Sequence, residues 1–275
     1  MNILSFDIEE WHLYDLYPKG GRGYFLPIIN SYLDRVLDLL EEKNYKATFY
    51  CLGMIAKEYP EVIRKIAQNG HEIGCHSNKH LLIQNMTEES FRRDTRIAID
   101  EIEQVIGSKI ELYRAPSNSM NKSWHWSLDV LMEEGITCDS SIFSAGSIFK
   151  DKKLDQKFPY IVKSKSGTIK ELPIGYASFL GQKLIFSGGG YFRFFPYSLI
   201  ETWMHKSDYN MTYFHIRDFD KEQKRVISKR YFLSYYGVNS AYEKFEKIVS
   251  DFEFITVGEA IRSIDWEQTK VVQII

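Results

Sequence analysis

No stretch of the sequence approaches the ~20 consecutive apolar residues that a membrane span requires. The N-terminus also lacks a charged segment leading into an apolar one, so neither a spanning helix nor a signal peptide is expected. A dominant charge is missing too. Lys and Arg number 35 against 37 Asp and Glu, for a net charge of -2, which argues against the basic field of a nucleic-acid-binding protein. Cysteine is scarce: Cys51, Cys75 and Cys138 are too few and too far apart for a disulfide framework. Each sits in an apolar, strand-like run, so the expectation is three buried, reduced thiols in a cytoplasmic protein. The run Gly188-Gly189-Gly190 lacks the Lys and Ser/Thr of a phosphate-binding loop. It fits close backbone approach, or flexibility, beside a groove.

Aromatic residues are plentiful, with 18 Tyr and 18 Phe, as suits a carbohydrate-facing or deeply packed surface. Short apolar runs alternate with helical periods along the chain. Ile3 to Asp7 reads as a strand, Ile28 to Glu42 as a helix and Ala47 to Leu52 as a strand again. "EVIRKIAQNG" is a helix ending at Gly70, and "HEIGCH" follows it. An amphipathic segment runs from Thr87 to Gly107, then "IELYRAP", a helix from Trp124 to Glu134, and "ITCDSSI". Such repeats predict parallel strands with crossover helices, in an open sheet or a closed barrel. Residues 143–191 are less regular, and "KSKSGTIKELPI" suggests a hairpin or an inserted loop. One α/β domain spanning residues 1–275 is the economical reading.

Two segments carry chemistry. In "SFDIEEWH" the strand period of two places Asp7 and Glu9 on one side of the chain. Adjacent carboxylates repel unless a cation, a proton or water compensates; a solvated loop past the strand is the bland reading. In "HEIGCHSNKH" the His76–His80 spacing lets two imidazoles converge on one cation, and imidazole plus carboxylate is a common zinc set. His71, on the helix-exit side, reads as structural, as do the isolated His125 and His205.

The order "FD", "HSNKH", "YRAP" and "TYFHIRD" resembles the polysaccharide deacetylases of the NodB-homology group, carbohydrate esterase family four. "SFDIEEW" and "YFRFFPY" resemble a bacterial subgroup associated with surface-polysaccharide gene sets. The resemblance implies a distorted (β/α) barrel of about seven parallel strands, with an irregular insertion at 143–191. It also implies one divalent metal, zinc foremost and otherwise cobalt, nickel or manganese, and hydrolysis of an acetyl group on a glycan. His76 and His80 become implied metal ligands, Asp7 the base, Arg114 its orienting partner and His215 the general acid, while Pro116 would shape the groove. One departure falls on the opening segment. The family has two adjacent acids there, but Ile8 follows Asp7 and cannot bind a metal. Same-side geometry favours Glu9 as the replacement ligand, with Glu10 a bystander and His12 a competitor. The fourth family motif is only partly present: Asp139 in "CDSSIF" would buffer His215 from behind or cap a loop beside Ser140 and Ser141. Trp11, Tyr113 and Tyr191 are candidates for stacking on sugar rings. The expected partner is an acetylated sugar, and a cytoplasmic enzyme would meet nucleotide-linked or lipid-linked precursors. The shifted acid also leaves open a hydrolase of a small cyclic amide or imide, and a glycan-binding relative that has lost its chemistry is a separate alternative.

Overall fold

The computed structural model describes residues 1–9, 22–121, 124–142, 156–179, 181–223, 225 and 231–274. The chain opens with β1 (Asn2–Ile3) and β2 (Ser5–Ile8), then alternates α1 (Arg22–Glu42), β3 (Thr48–Cys51), α2 (Gly53–Glu58), α3 (Pro60–Gln68) and β4 (Glu72–Cys75). It continues through α4 (Glu88–Ile106), β5 (Leu112–Tyr113), α5 (Trp124–Glu133) and β6 (Cys138–Asp139). The middle holds β7 (Tyr160–Ser164), β8 (Gly167–Glu171), β9 (Ala177–Phe179) and β10 (Gln182–Leu184). After α6 (Gly189–Phe194) and α7 (Tyr197–His205) come β11 (Asn210–Met211), β12 (Phe214–His215), α8 (Tyr231–Tyr235), α9 (Ala241–Asp251), α10 (Val257–Ser263) and β13 (Val271–Gln273).

Among the described residues the main sheet has nine strands, in the order β12-β2-β3-β4-β5-β6-β8-β7-β13. The seven from β12 to β8 run parallel to one another. This is the NodB-like α/β fold that the resemblance implies, with seven parallel strands. "KSKSGTIK" is a hairpin, pairing β7 with β8 antiparallel from Ser164↔Gly167 outward. It is more than an embellishment, because β8 pairs with β6 and extends the parallel run.

Local signals explain the crossovers. Thr87 caps α4 with Ser90 in a reciprocal capping box, and Gly107 ends it in the left-handed conformation. The strands are buried on both faces, as crossover helices require. The helix-facing side carries Phe6, Ile8, Phe49, Cys51, Cys75 and Tyr113; Phe6 and Phe49 stack with centroids 4.8 Å apart. The opposite face carries Tyr50, Leu112, Cys138, Leu172 and Tyr213. Gly74 lies on that second face because a Cβ there would stand 2.6 Å from the Tyr50 ring. All three cysteines are buried and unpaired. Among the described residues, no helix is long and apolar enough to cross a membrane.

Candidate active site

The polar residues gather where β2, β4, β5 and β12 end, the edge at which open α/β sheets take their ligands. Asp7 sits on β2 beside His215 of β12, its Cα partner in the ladder. Glu9 follows one residue after β2, and with Ile8 turned toward the helices the period of two brings Glu9 to the side of Asp7.

Glu9, His76 and His80 each point one ligand atom into a shared space, all within 4.8 Å of one another. Glu9 Oε2 lies 2.8 Å from His80 Nε2 and 3.7 Å from His76 Nε2. Two ligands about 2.1 Å from a tetrahedral zinc lie roughly 3.4 Å apart, so one carboxylate and two imidazoles at these spacings fit such an ion. His76 Nδ1 donates to the Arg114 carbonyl at 2.8 Å, which leaves Nε2 to present its lone pair. The loop after β4 is bent to the task. Ser77 and His80 both have positive φ, at 68° and 56°, a costly backbone state held by surrounding bonds. The His80 amide donates to Ser77 Oγ, the Asn78 amide to Asp94 Oδ2, and the amides of Gly53 and Met54 to the Ser77 and Asn78 carbonyls. Burial opposes the charge on Glu9, but His215, His80 and Arg217 outweigh it and hold the carboxyl well below its ordinary range.

Asp7 Oδ1 accepts from Arg114 Nη1 at 2.9 Å, and Oδ2 faces His215 Nε2 at 3.9 Å. The Arg114 guanidinium is buried, lies 4.1 Å above the Tyr50 ring, and donates from Nε to the Ser140 carbonyl and from Nη2 to Ser140 Oγ. On the opposite wall, His215 Nδ1 donates to Asp218 Oδ2 at 2.9 Å, and the same oxygen accepts the His215 amide. Burial pulls the His215 pKa down, but Glu9 and Asp218 outweigh it and raise the ring above its usual value. Asp218 is in turn bonded to Arg193 and held well below the carboxylate range by it and by His215, against the effect of burial. Gly188 lets this wall close: a Cβ there would stand 2.1 Å from the Tyr213 carbonyl oxygen.

Several expectations need correction. Tyr113 is fully buried and meets Phe91 edge-on. Since Arg114 faces the site, its strand neighbour must face the helices and cannot stack on a sugar. Asp139 does not support His215; that partner is Asp218, three residues along in the turn Ile216–Phe219. Asp139 bonds Ser141, as the loop-capping alternative has it. Pro116 is buried at the head of the turn Pro116–Asn121. Tyr191 is 47% exposed on α6. Glu10, Trp11 and His12 lie outside the described residues. His71 is structural, its Nδ1 accepting from the Ala47 amide. Asp218, Arg193, Arg217 and Tyr50 escape the sequence reading altogether.

Comparison with known proteins bears on the same residues. A family model for polysaccharide deacetylase matches residues 15–133. Residues 15–133 belong to the polysaccharide deacetylase family. A second model, a domain of unknown function (DUF3473), matches residues 140–262. The chain is 34% identical over 94 residues to the uncharacterized protein YlxY of Bacillus subtilis, covering 34% of this chain and 30% of that protein. It is 26% identical over 122 residues to a peptidoglycan-N-acetylglucosamine deacetylase of Bacillus cereus, covering 40% and 44%. The chain therefore spans less than half the length of these relatives. A crystal structure assigned to the polysaccharide deacetylases, from Mycobacterium smegmatis, superposes with a TM-score of 0.67 at 19% identity, over 99% of this chain and 92% of that one. At that identity the likeness establishes the fold alone.

Proposed function

We propose that this deacetylase-family protein is a metal-dependent hydrolase that removes an N-linked acetyl group from a sugar of a bacterial surface polysaccharide or its precursor. The observation that carries the reading is the placement of Glu9, His76 and His80 between two proton-handling pairs, Asp7–Arg114 and His215–Asp218. The sugar class draws on the relatives, which include a peptidoglycan-N-acetylglucosamine deacetylase. We further propose one catalytic domain over residues 1–275. Neither matched region holds the whole site: His76, His80 and Arg114 come from the first, His215 from the second, and Asp7 and Glu9 precede both.

Glu9, His76 and His80 would hold a divalent ion, zinc foremost and otherwise cobalt, nickel or manganese, which would supply Lewis-acid polarisation of the acetyl carbonyl and acidify water. The chain does the rest. Arg114 engages Asp7 Oδ1 and leaves Oδ2 directed at the cleft to take a proton from water. His215, with Nδ1 fixed by Asp218, presents a protonated Nε2 to the leaving nitrogen. Tyr191, exposed two residues beyond Gly189 and the His215 ring, offers a face for the neighbouring sugar. The test is acetate release from N-acetylglucosamine oligomers by the purified protein. Release should stop on chelation and return on adding a divalent ion. A protein that binds one metal per chain yet frees acetate from no N-acetylated glycan would refute the reading.

A further inference from the structure

Behind Arg114 stands a pair of acids that the hydrolytic reading leaves unused. Asp139 ends β6 and Glu171 ends β8; they are Cα partners in the parallel ladder, and both are fully buried. Asp139 Oδ1 accepts from Ser141 Oγ at 2.5 Å, and Oδ2 accepts from the Ser141 amide at 3.3 Å. Glu171 Oε1 accepts from the Ile142 amide at 3.0 Å. Glu171 Oε2 has no donor among the described residues, and its ladder partner Asp139 is a second buried carboxyl group beside it. Two buried carboxylates side by side repel strongly when both are ionised. A proton on one of them removes the repulsion and gives the orphaned oxygen a partner.

We propose that Glu171 Oε2 carries a proton and donates it to Asp139, and that this singly protonated pair is a positioning unit for Arg114. Burial raises both acids and drives Glu171 well above the carboxylate range, with the Asp139 charge adding to the effect. The ionisable groups around the pair are Cys138, Tyr50, Tyr113, Tyr209 and the Arg114 cation. The link to Arg114 runs through Ser141 and Ser140. Ser141 Oγ donates to Asp139 and accepts from the Ala115 amide at 2.7 Å. Ser140, on the other side of the strand, accepts from Arg114 through both its carbonyl and its hydroxyl, and that hydroxyl donates to the Leu172 carbonyl. The acid pair thus clamps segment 139–142 to β8 from the helix side, and Ser140 holds Arg114 against Asp7 on the cleft side.

The kinetic part rests on the hydrolytic reading; the spectroscopic and crystallographic parts do not. Infrared spectra of the wild type at pH 7 should show the C=O band of a protonated, deuterium-sensitive carboxyl that Glu171→Gln removes. Glu171→Gln keeps a donor toward Asp139, so the 2.9 Å Arg114–Asp7 contact should survive in its crystal structure. Its kcat should stay within about threefold of wild type. Glu171→Met fills similar space without the donor; Arg114 should part from Asp7, and kcat should fall about tenfold or more with KM little changed. A missing band in the wild type, or a band that persists in Glu171→Gln, overturns the shared proton. An unmoved Arg114 in Glu171→Met overturns the positioning role, whether or not acetate is ever released. Should Glu171→Met not fold, loss of the Arg114–Asp7 contact in Glu171→Gln, which retains the donor, would overturn the role instead.

Discussion

His76 and His215 face the same small space from opposite walls, and they differ in what holds their other nitrogen. The Nδ1 of His76 donates to a backbone carbonyl; that of His215 donates to the Asp218 carboxylate. A carbonyl fixes the tautomer and orients the ring, which suits a metal ligand. A carboxylate also brings a full charge that favours imidazolium, which suits a proton donor. The supports differ in the same sense. The His76–His80 loop is tied by backbone amides and Asp94, whereas Asp218 is itself anchored by a buried arginine, Arg193. One residue type is thus prepared for two chemistries by its partners.

The largest effects should come from breaking each wall separately. Asp7→Asn should cut turnover by roughly 10²- to 10⁴-fold while elemental analysis still finds one metal per chain. His215→Ala should do the same; equal loss of turnover and metal would remove the general acid from its wall. Glu9→Gln should show the opposite pattern, with metal content falling first and activity following it. Metal retained in Glu9→Gln but lost in His12→Ala would move the third ligand to His12.

A sharper test exchanges the character of the acid wall without removing its histidine. In Asp218→Asn the ring keeps an acceptor and, with Glu9 still in place, loses the second of the two charges that raise its pKa. A raised pKa means that the protonated form persists until pH climbs past it, so the alkaline limb of the kcat profile reports His215. Asp218→Asn should shift that limb toward acid and lower kcat at pH 8 by about tenfold, with metal content unchanged. An unmoved limb would detach it from His215.

How much of this is legible in the sequence depends on how far apart the interacting residues lie. Strand periodicity puts Asp7 and Glu9 on one side, and the His76–His80 spacing reads directly, because both are local. The same parity, applied to "LYRAP", would have turned Tyr113 inward to the helices once Arg114 was given to the cleft. Asp218 had a faint signal: an acid three residues after His215 can reach back to its amide and its ring. Glu171 had none. It sits in a hairpin that reads as an insertion, and its partner Asp139 lies 32 residues earlier, joined only by the register of β6 and β8. The helix-facing side of that register is also why Asp139 cannot reach His215.

A third histidine extends the comparison to the smallest effect. His71 Nδ1 accepts a hydrogen bond, from the Ala47 amide at 3.2 Å, so the ring must be unprotonated there. Burial, with Lys46 nearby, pushes its pKa down to about 4. Between about pH 6.5 and 4 the unfolded chain takes up a proton that the folded one refuses, so stability must fall with pH across that window. The loss should be roughly 2 to 3 kcal/mol on reaching pH 4.5. His71→Asn, with an oxygen in place of Nδ1, should keep the Ala47 bond and lose that share of the pH dependence. Urea midpoints at pH 7 and 4.5 measure the difference, and acetate release at pH 7 should be unaffected. Equal slopes in the two proteins would mean that His71 takes up its proton without breaking the Ala47 bond, and its partner would not then decide its charge as Asp218 helps to decide that of His215.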